Sequence, residues 1–488
     1  MTVTRPDDSA ATTTASSVAK VTLPTLTAMV VGSMVGAGVF SLPARFGRAT
    51  GVIGAIVAWT IAGLGMLMLA FVFQTLAVRK PSLDAGLFAY AKAGFGDYIG
   101  FNSAIGFWAS ACVGNVFYWV FIMTTIGAAF PALGKGDTIL AVALSSVGVW
   151  LFHFLIARGV KDAAVINRIV TVAKILPILL FIVVVGFSVE AGVLRDNFWG
   201  GEAPSVSNLY HQVSDTMIIT TFVFLGIEGA TVYSRYAKKR EDVGKATVLG
   251  FLSVLAIFAL VTLVSYGVLP QQDLAEARQP SMASVLESVV GTWGSVFISV
   301  GLIVSVLGAY LAWTLMAAEM MFIPARADDM PRFLRRENRA GTPIAALILT
   351  TLLIQLFLLV TLTSEDALNF MLDLCTSLAL MPYLLSAAYG FKIAVTRDTY
   401  AADPSARTRH LVIATVASIY TLFLIYTAGG KFLLLSCIIY APGTILYVMA
   451  RRENERRVFL PFERILCGIL ILGGVAGVIG LATGAITI

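Results

Sequence analysis

Polar residues are sparse along this chain, and they fall in short clusters that divide it into apolar runs. A helix needs about 20 mostly apolar residues to cross the roughly 30 Å hydrocarbon core of a bilayer. Runs of that length lie at about 22–44, 52–78, 99–130, 138–157, 163–189, 212–234, 244–269, 289–323, 344–362, 367–395, 410–428, 432–450 and 463–486. They predict an all-α polytopic membrane protein of about thirteen transmembrane helices. Residues 1–21 are rich in Thr, Ser and Ala and lack the apolar core of a signal peptide, which predicts a cytoplasmic N-terminal tail.

Two of the runs are poor candidates for continuous helix. In the first, VGSMVGAGVFSLP at 31–43 places Gly32, Gly36 and Gly38 ahead of Pro43, and each glycine costs about 1 kcal/mol against alanine in a helix interior. In the sixth, FVFLGIEGA at 222–230 brackets an intramembrane carboxylate, Glu228, between Gly226 and Gly229. Broken backbone at membrane depth leaves peptide groups unpaired, which is tolerated only where protein or a water-filled cavity receives them. A bound solute serves equally well. The competing reading of either cluster alone is close helix packing through small residues, but interrupted helices at matching positions of two halves point to a binding site. Because the breaks fall in the first and sixth spans, the repeat unit is five helices, and an odd number inverts the second copy. The expected organisation is one five-helix repeat at 22–189, a second at 190–395 and three additional helices at 396–488.

Composition excludes an ordinary water-soluble globule, in which about a quarter of residues are charged. Here 58% of the 488 residues are hydrophobic, 13% are charged, and the mean hydropathy is +0.87. Net charge is +6, and its distribution reports orientation rather than a nucleic-acid partner. Of the 34 Lys and Arg, 27 fall in the tail and even-numbered junctions and six on the opposite side (Arg45, Arg48, Lys135, Arg195, Arg278, Lys431). Positive residues stay cytoplasmic, so the N-terminus is expected inside and, with an odd number of spans, the C-terminus outside. Cys112, Cys375, Cys437 and Cys467 lack disulfide or metal spacing, and no metal or cofactor is expected. His153, His211 and His410 are far apart and no Ser/His/Asp cluster is visible, which disfavours an enzyme. A membrane receptor or enzyme anchor is the different-class alternative, and it has no use for paired broken helices.

The runs GSMVGAGVFSLP and FLGIEGA, the amphipathic SLDAGLFAYAKAGFG after the second span and LAWTLMAAEMMFIPARADDMP around the eighth together resemble the amino acid/polyamine/organocation transporter superfamily. Within it the chain is most similar to the basic amino acid/polyamine antiporter family, especially its arginine/ornithine antiporters, over nearly its whole length. The resemblance implies a LeuT-like 5+5 inverted-repeat core with the first and sixth helices unwound, in a bacterial plasma (inner) membrane. It implies exchange of a cationic amino acid, arginine, for a related product, ornithine. A proton-coupled lysine or arginine importer and an acidic amino acid exchanger are the rival readings, and a homodimer stays open.

The chemistry of the substrate fits the breaks. Half-helix N-termini favour anions and unwound carbonyls hold cations. Backbone at Ser33, Met34, Gly36, Ala37 and Gly38 is therefore assigned to an α-carboxylate, and the carbonyls of Phe222, Phe224 and Leu225, beside Gly226, to an α-ammonium. The resemblance puts Phe222 where an aromatic gate covers the substrate, Trp313 on the wall of the distal pocket, Asn115 on its lining, and Lys174 where sodium-coupled relatives place a cation. It also links Glu228 to gating; the structural alternative is a hydrogen-bonding partner for loose helix ends. For Lys174 the alternative is snorkelling to the boundary, for Trp313 an ordinary buried aromatic, and for Asn115 an amide that ties helices together. Asp373, Thr376 and Ser377 offer polar groups in the tenth span, with Asp373 as counter-charge to a distal cationic group. Glu319 is a second candidate for coupling, or a partner of Arg326.

Overall fold

The computed structural model describes residues 22–83, 86–159, 163–201, 204–228, 240–401 and 403–488, and among them it is helical, with no strand. The N-terminal tail, Gly229 and the basic residues at 235–239 lie outside the described residues. Among the described residues ten helices are long and apolar enough to cross a membrane, or eleven when the bent pair at the start counts as one.

That pair is α1 (Leu23–Met34) and α2 (Leu42–Ala49), joined through a 3-10 turn at Ala37–Ser41 and bent by 55°. Pro43 falls in the first turn of α2, where its missing N–H is no loss; the break comes earlier, at Val35 and Gly36, both extended. The chain continues through α3 (Val52–Arg79), α4 (Leu87–Phe95), α5 (Asp97–Ile126), α6 (Ile139–Ala157), α7 (Ala163–Phe187), the short α8 (Ala191–Asp196) and α9 (Val206–Val223). After α9 the backbone unwinds into turns up to Glu228. There follow α10 (Arg240–Ser265), α11 (Gln271–Glu276), α12 (Ser281–Val290), α13 (Thr292–Arg326), α14 (Ile344–Val360), α15 (Ala367–Val395), α16 (Ser405–Glu453) and α17 (Pro461–Ala482). The runs expected at 410–428 and 432–450 appear as one 49-residue helix, α16, interrupted only at Gly429 (φ 80°, ψ 166°).

Helix α5 is the axis of the packing. It is buried along nearly its whole length and lies against α4, α13 and α15. The peripheral helices instead show large apolar side chains outward, among them Val147, Leu151 and Leu472, as a lipid-facing surface requires. Glycines set the close approaches. Gly65 of α3 faces the Tyr420 ring of α16, and Gly148 of α6 faces the indole of Trp119 on α5. Helices α7 and α13 run antiparallel through Val170 against Gly308 and Pro177 against Gly301. The unforeseen α12 docks on the first span: Ser281 Oγ accepts from Ala44 N–H (3.2 Å) and donates to the Phe40 carbonyl (3.3 Å).

At the end of the bundle that carries most of the basic residues, ion pairs join elements distant in sequence. Lys92 of α4 meets Asp329 (2.5 Å), Arg451 of α16 meets Asp97 of α5 (2.7 Å), and Arg456 meets Asp329 (3.6 Å). Glu463 of α17 is buried and accepts from the N–H groups of Tyr98 (3.2 Å) and Leu460 (2.7 Å).

Overpacking a filled interior costs about 1–3 kcal/mol. Gly65→Ala, whose Cβ would enter the Tyr420 ring, is expected to lower the thermal unfolding midpoint in detergent, whereas Gly468→Ala in α17, with nothing within 4 Å, leaves it unchanged. Equal midpoints for the two would show that the α3–α16 contact yields without strain.

Candidate functional site

The two unwound segments meet. A Cβ on Gly226, whose φ is +104°, would lie 2.5 Å from the Ser33 carbonyl oxygen, and one on Gly38 would lie 2.8 Å from the Phe222 ring and 2.9 Å from Val223. Gly226 is thus glycine for two reasons, a left-handed backbone and another backbone at its surface. Gly32 has no such neighbour within 4 Å, so it is not part of the contact.

On the first-span side, Gly36 precedes the 3-10 turn and no side chain caps it, although Ala37 and Gly38 are buried. The first N–H groups of a helical turn have no partner within it, which leaves donors directed at the break. Ser33 is half-buried and its hydroxyl donates to the Val30 carbonyl (2.8 Å), while Met34, the last residue of α1, is buried. Facing them, the Phe222 carbonyl accepts from Leu225 N–H (3.1 Å) and that of Phe224 from Ile227 N–H (3.2 Å). The Phe224 carbonyl keeps one lone pair, since a carbonyl oxygen has two, while that of Phe222 also receives Phe224 N–H. The Phe222 ring is buried edge-on to Phe117 (5.0 Å). The Phe224 ring points away, into an aromatic cluster with Trp59, Phe251 and Phe258. That cluster holds the turn from behind.

Glu228 is bound within this junction. The Tyr383 hydroxyl of α15 donates to Oε2 (2.6 Å), and so does Gly226 N–H (3.3 Å). Tyr383 was not singled out in the sequence; its place five residues after Leu378 in an ordinary apolar helix carries no signal. Tyr118 was also missed, and its hydroxyl lies 3.9 Å from where a Gly36 Cβ would be.

Asn115 and Trp313 come from α5 and α13. The Asn115 amide donates to Thr314 Oγ1 (3.1 Å), and its buried carbonyl oxygen has no partner among the described residues. Trp313, next to Thr314, is half-buried against the core. Asp373 of α15 forms an ion pair with Arg45 of α2, both mostly buried. Thr376 is buried and donates to the Leu372 carbonyl (2.9 Å), and Ser377 to that of Asp373 (2.8 Å). Lys174 shares the α13-facing side of α7 with Val170 and Pro177. Its level matches Ser305, a buried hydroxyl without a partner among the described residues, and no described residue pairs with the ammonium. Glu319 stands apart, exposed on α13, and Arg326 lies over the Phe322 ring (5.6 Å) rather than in an ion pair with it. The arrangement brings together backbone donors, backbone acceptors, an aromatic cover and one carboxylate, which is what a zwitterion needs.

A sequence profile for the family described as amino acid permease matches residues 21–450. An arginine/ornithine antiporter of Pseudomonas aeruginosa is 47% identical over 96% of this chain and 98% of its own. An L-lysine transport protein of Corynebacterium glutamicum is 39% identical over 96% of each chain. An arginine/ornithine antiporter of Latilactobacillus sakei is 36% identical over 96% of this chain and 98% of its own.

The Glu228 contacts separate two substitutions. Glu228→Gln keeps an acceptor for Tyr383 and Gly226 and is expected to retain substrate binding with slower exchange. Glu228→Ala strands both donors at about 1–3 kcal/mol each and is expected to lose thermal stability and transport together. Full exchange by both variants would remove Glu228 from the site.

Proposed function

The chain belongs to the amino acid permease family, and within it we propose that it is a secondary active antiporter exchanging arginine for ornithine by alternating access. The observation that carries the proposal is the backbone contact between the first and sixth spans at Ser33 and Gly226, read together with relatives named for that exchange. In this reading the N–H groups around Gly36, Ala37 and Gly38 hold the α-carboxylate. The carbonyls of Phe222, Phe224 and Leu225 hold the α-ammonium, Phe222 covers the substrate, and Asn115, Trp313 and Thr376 line the side-chain pocket. Asp373 is already neutralised by Arg45. A guanidinium or ammonium at the end of the substrate side chain therefore competes with Arg45 for one carboxylate, so loading the site loosens the tie between α2 and α15. Glu228 links the second broken helix to α15 through Tyr383, and Lys174 supplies a fixed positive charge in place of a coupling cation, with Glu319 a further coupling group toward the end of α13.

The proposed architecture is thirteen spans, with inverted repeats at 22–189 and 190–395 and three additional helices at 396–488. It is supported by the bend in the first span, the unwinding after α9 and the length of α16. At 1.5 Å per residue α16 would extend roughly 73 Å, more than twice the roughly 30 Å of hydrocarbon, which favours counting it as two spans meeting at Gly429. The charge asymmetry favours an inner-membrane orientation with the N-terminus cytoplasmic and the C-terminus outside.

The test is counterflow in proteoliposomes preloaded with ornithine, arginine, lysine, glutamate or agmatine. Labelled arginine is expected to enter vesicles holding ornithine or arginine without any ion gradient, and to stay out of empty ones. Equal initial uptake into empty vesicles under a proton gradient would establish an importer instead. A C-terminal alkaline phosphatase fusion is expected to be active in cells, and an inactive fusion would overturn the odd number of spans.

A further inference from the structure

A cleft lined by α3, α10 and α16 contains none of the residues of the two breaks. Helices α10 and α16 both pack on α3 but have no substantial contact with each other, so the surface of α3 between them forms the floor of a groove of about 820 Å³. That volume is within the roughly 300–1,000 Å³ of small-molecule sites. Its two ends differ chemically. Toward the middle of the membrane the walls are Phe71, Val248 and Ile413, and at the rim Val78 and Leu249 are among the exposed apolar side chains that face lipid. At the helix ends the groove carries Arg79, Lys245 and Arg409.

The single carboxylate among the lining residues is already engaged. Asp403 accepts from the Ser405 hydroxyl (2.9 Å) and Ala406 N–H (3.2 Å) and pairs with Arg79 (3.1 Å). Arg79 is further fixed by donating to the Thr399 carbonyl (2.9 Å) and by lying 3.9 Å over the Tyr400 ring. Lys245 and Arg409 are exposed, and neither has a carboxylate within ion-pair distance among the described residues. Among the described residues, therefore, two cations without a carboxylate partner stand at the helix ends, above an apolar groove with exposed apolar side chains at its rim. Basic pockets between transmembrane helices suit phosphate-bearing headgroups, and the groove below suits acyl chains.

We propose that the groove between α10 and α16 is a binding site for one anionic phospholipid, its phosphate held by Lys245 and Arg409 and its chains laid along α3. The site is independent of the exchange reading; only the choice of the cytoplasmic leaflet rests on the orientation argued above.

The experiment is native mass spectrometry of the full-length protein titrated with phosphatidylglycerol or with phosphatidylcholine of the same chains. One phosphatidylglycerol is expected to be retained in preference to phosphatidylcholine. Lys245→Ala/Arg409→Ala is expected to weaken that retention roughly twenty-five-fold, at about fivefold per basic side chain near a headgroup. Arg195→Ala/Lys135→Ala removes the same charge on the opposite side and is expected to leave it unchanged. The thermal unfolding midpoint of both double variants in phosphatidylcholine controls for folding, and since all four side chains are exposed it should match the wild type. Equal retention of the two lipids, or equal weakening in the two double variants, overturns the site. Displacement of phosphatidylglycerol by millimolar inorganic phosphate overturns the lipid as occupant and leaves a site for free phosphate.

Discussion

The centre of this molecule depends on two unwound segments lying against each other at two glycines. The Ser33 carbonyl faces Gly226, and the Phe222 ring faces Gly38. Were either glycine any other residue, the segments would separate by at least the width of a methyl group, and the polar backbone of each would face a gap. The contact keeps unwound backbone at membrane depth enclosed by protein, the condition under which such backbone is tolerated. It also sets donors from one segment opposite acceptors from the other. The surrounding groups follow from it: Glu228 and Tyr383 fasten the second segment, Ser281 fastens the first, and the Trp59 and Phe224 cluster fills the space behind.

Much of this was legible in the sequence because the bilayer imposes a strong pattern. Hydrophobic length located the long apolar helices, and glycine density located both breaks. What the sequence could not carry is pairing between elements far apart. Tyr383 is one tyrosine among fifteen, and only the structure brings it to Glu228 across 155 positions. Arg45 read as a loop cation, yet it lies in α2 opposite Asp373, which turns a free counter-charge into an occupied one. The helix α12 was hidden because its ten residues sit directly against the eighth hydrophobic run, where periodicity has no boundary to show. Gly429 illustrates the reverse difficulty, since the polar break expected between two spans is a single residue of backbone geometry.

The C-terminal helices are more than an appendage. Through Arg451, Arg456 and Glu463 they hold the N-terminal end of α5 and the segment after α13, and α5 and α13 are the helices that carry Asn115 and Trp313. Individual ion pairs at a wet surface are worth little, but Glu463 is buried and satisfies two backbone N–H groups at once. The half of the site that comes from intact helices is thereby tied to the end of the chain, and α16 also packs on α9, which leads into the second break.

The two halves of α16 grip different partners. Before Gly429, Tyr420 is seated on Gly65 of α3; after it, Tyr440 is seated on Gly106 and Thr444 bonds the Tyr98 hydroxyl, both on α5. No loop lies between them to take up slack. Any sliding of α3 past α5 is therefore felt as torsion at Gly429, so that one residue is the pivot of a lever whose arms are each about a membrane thick.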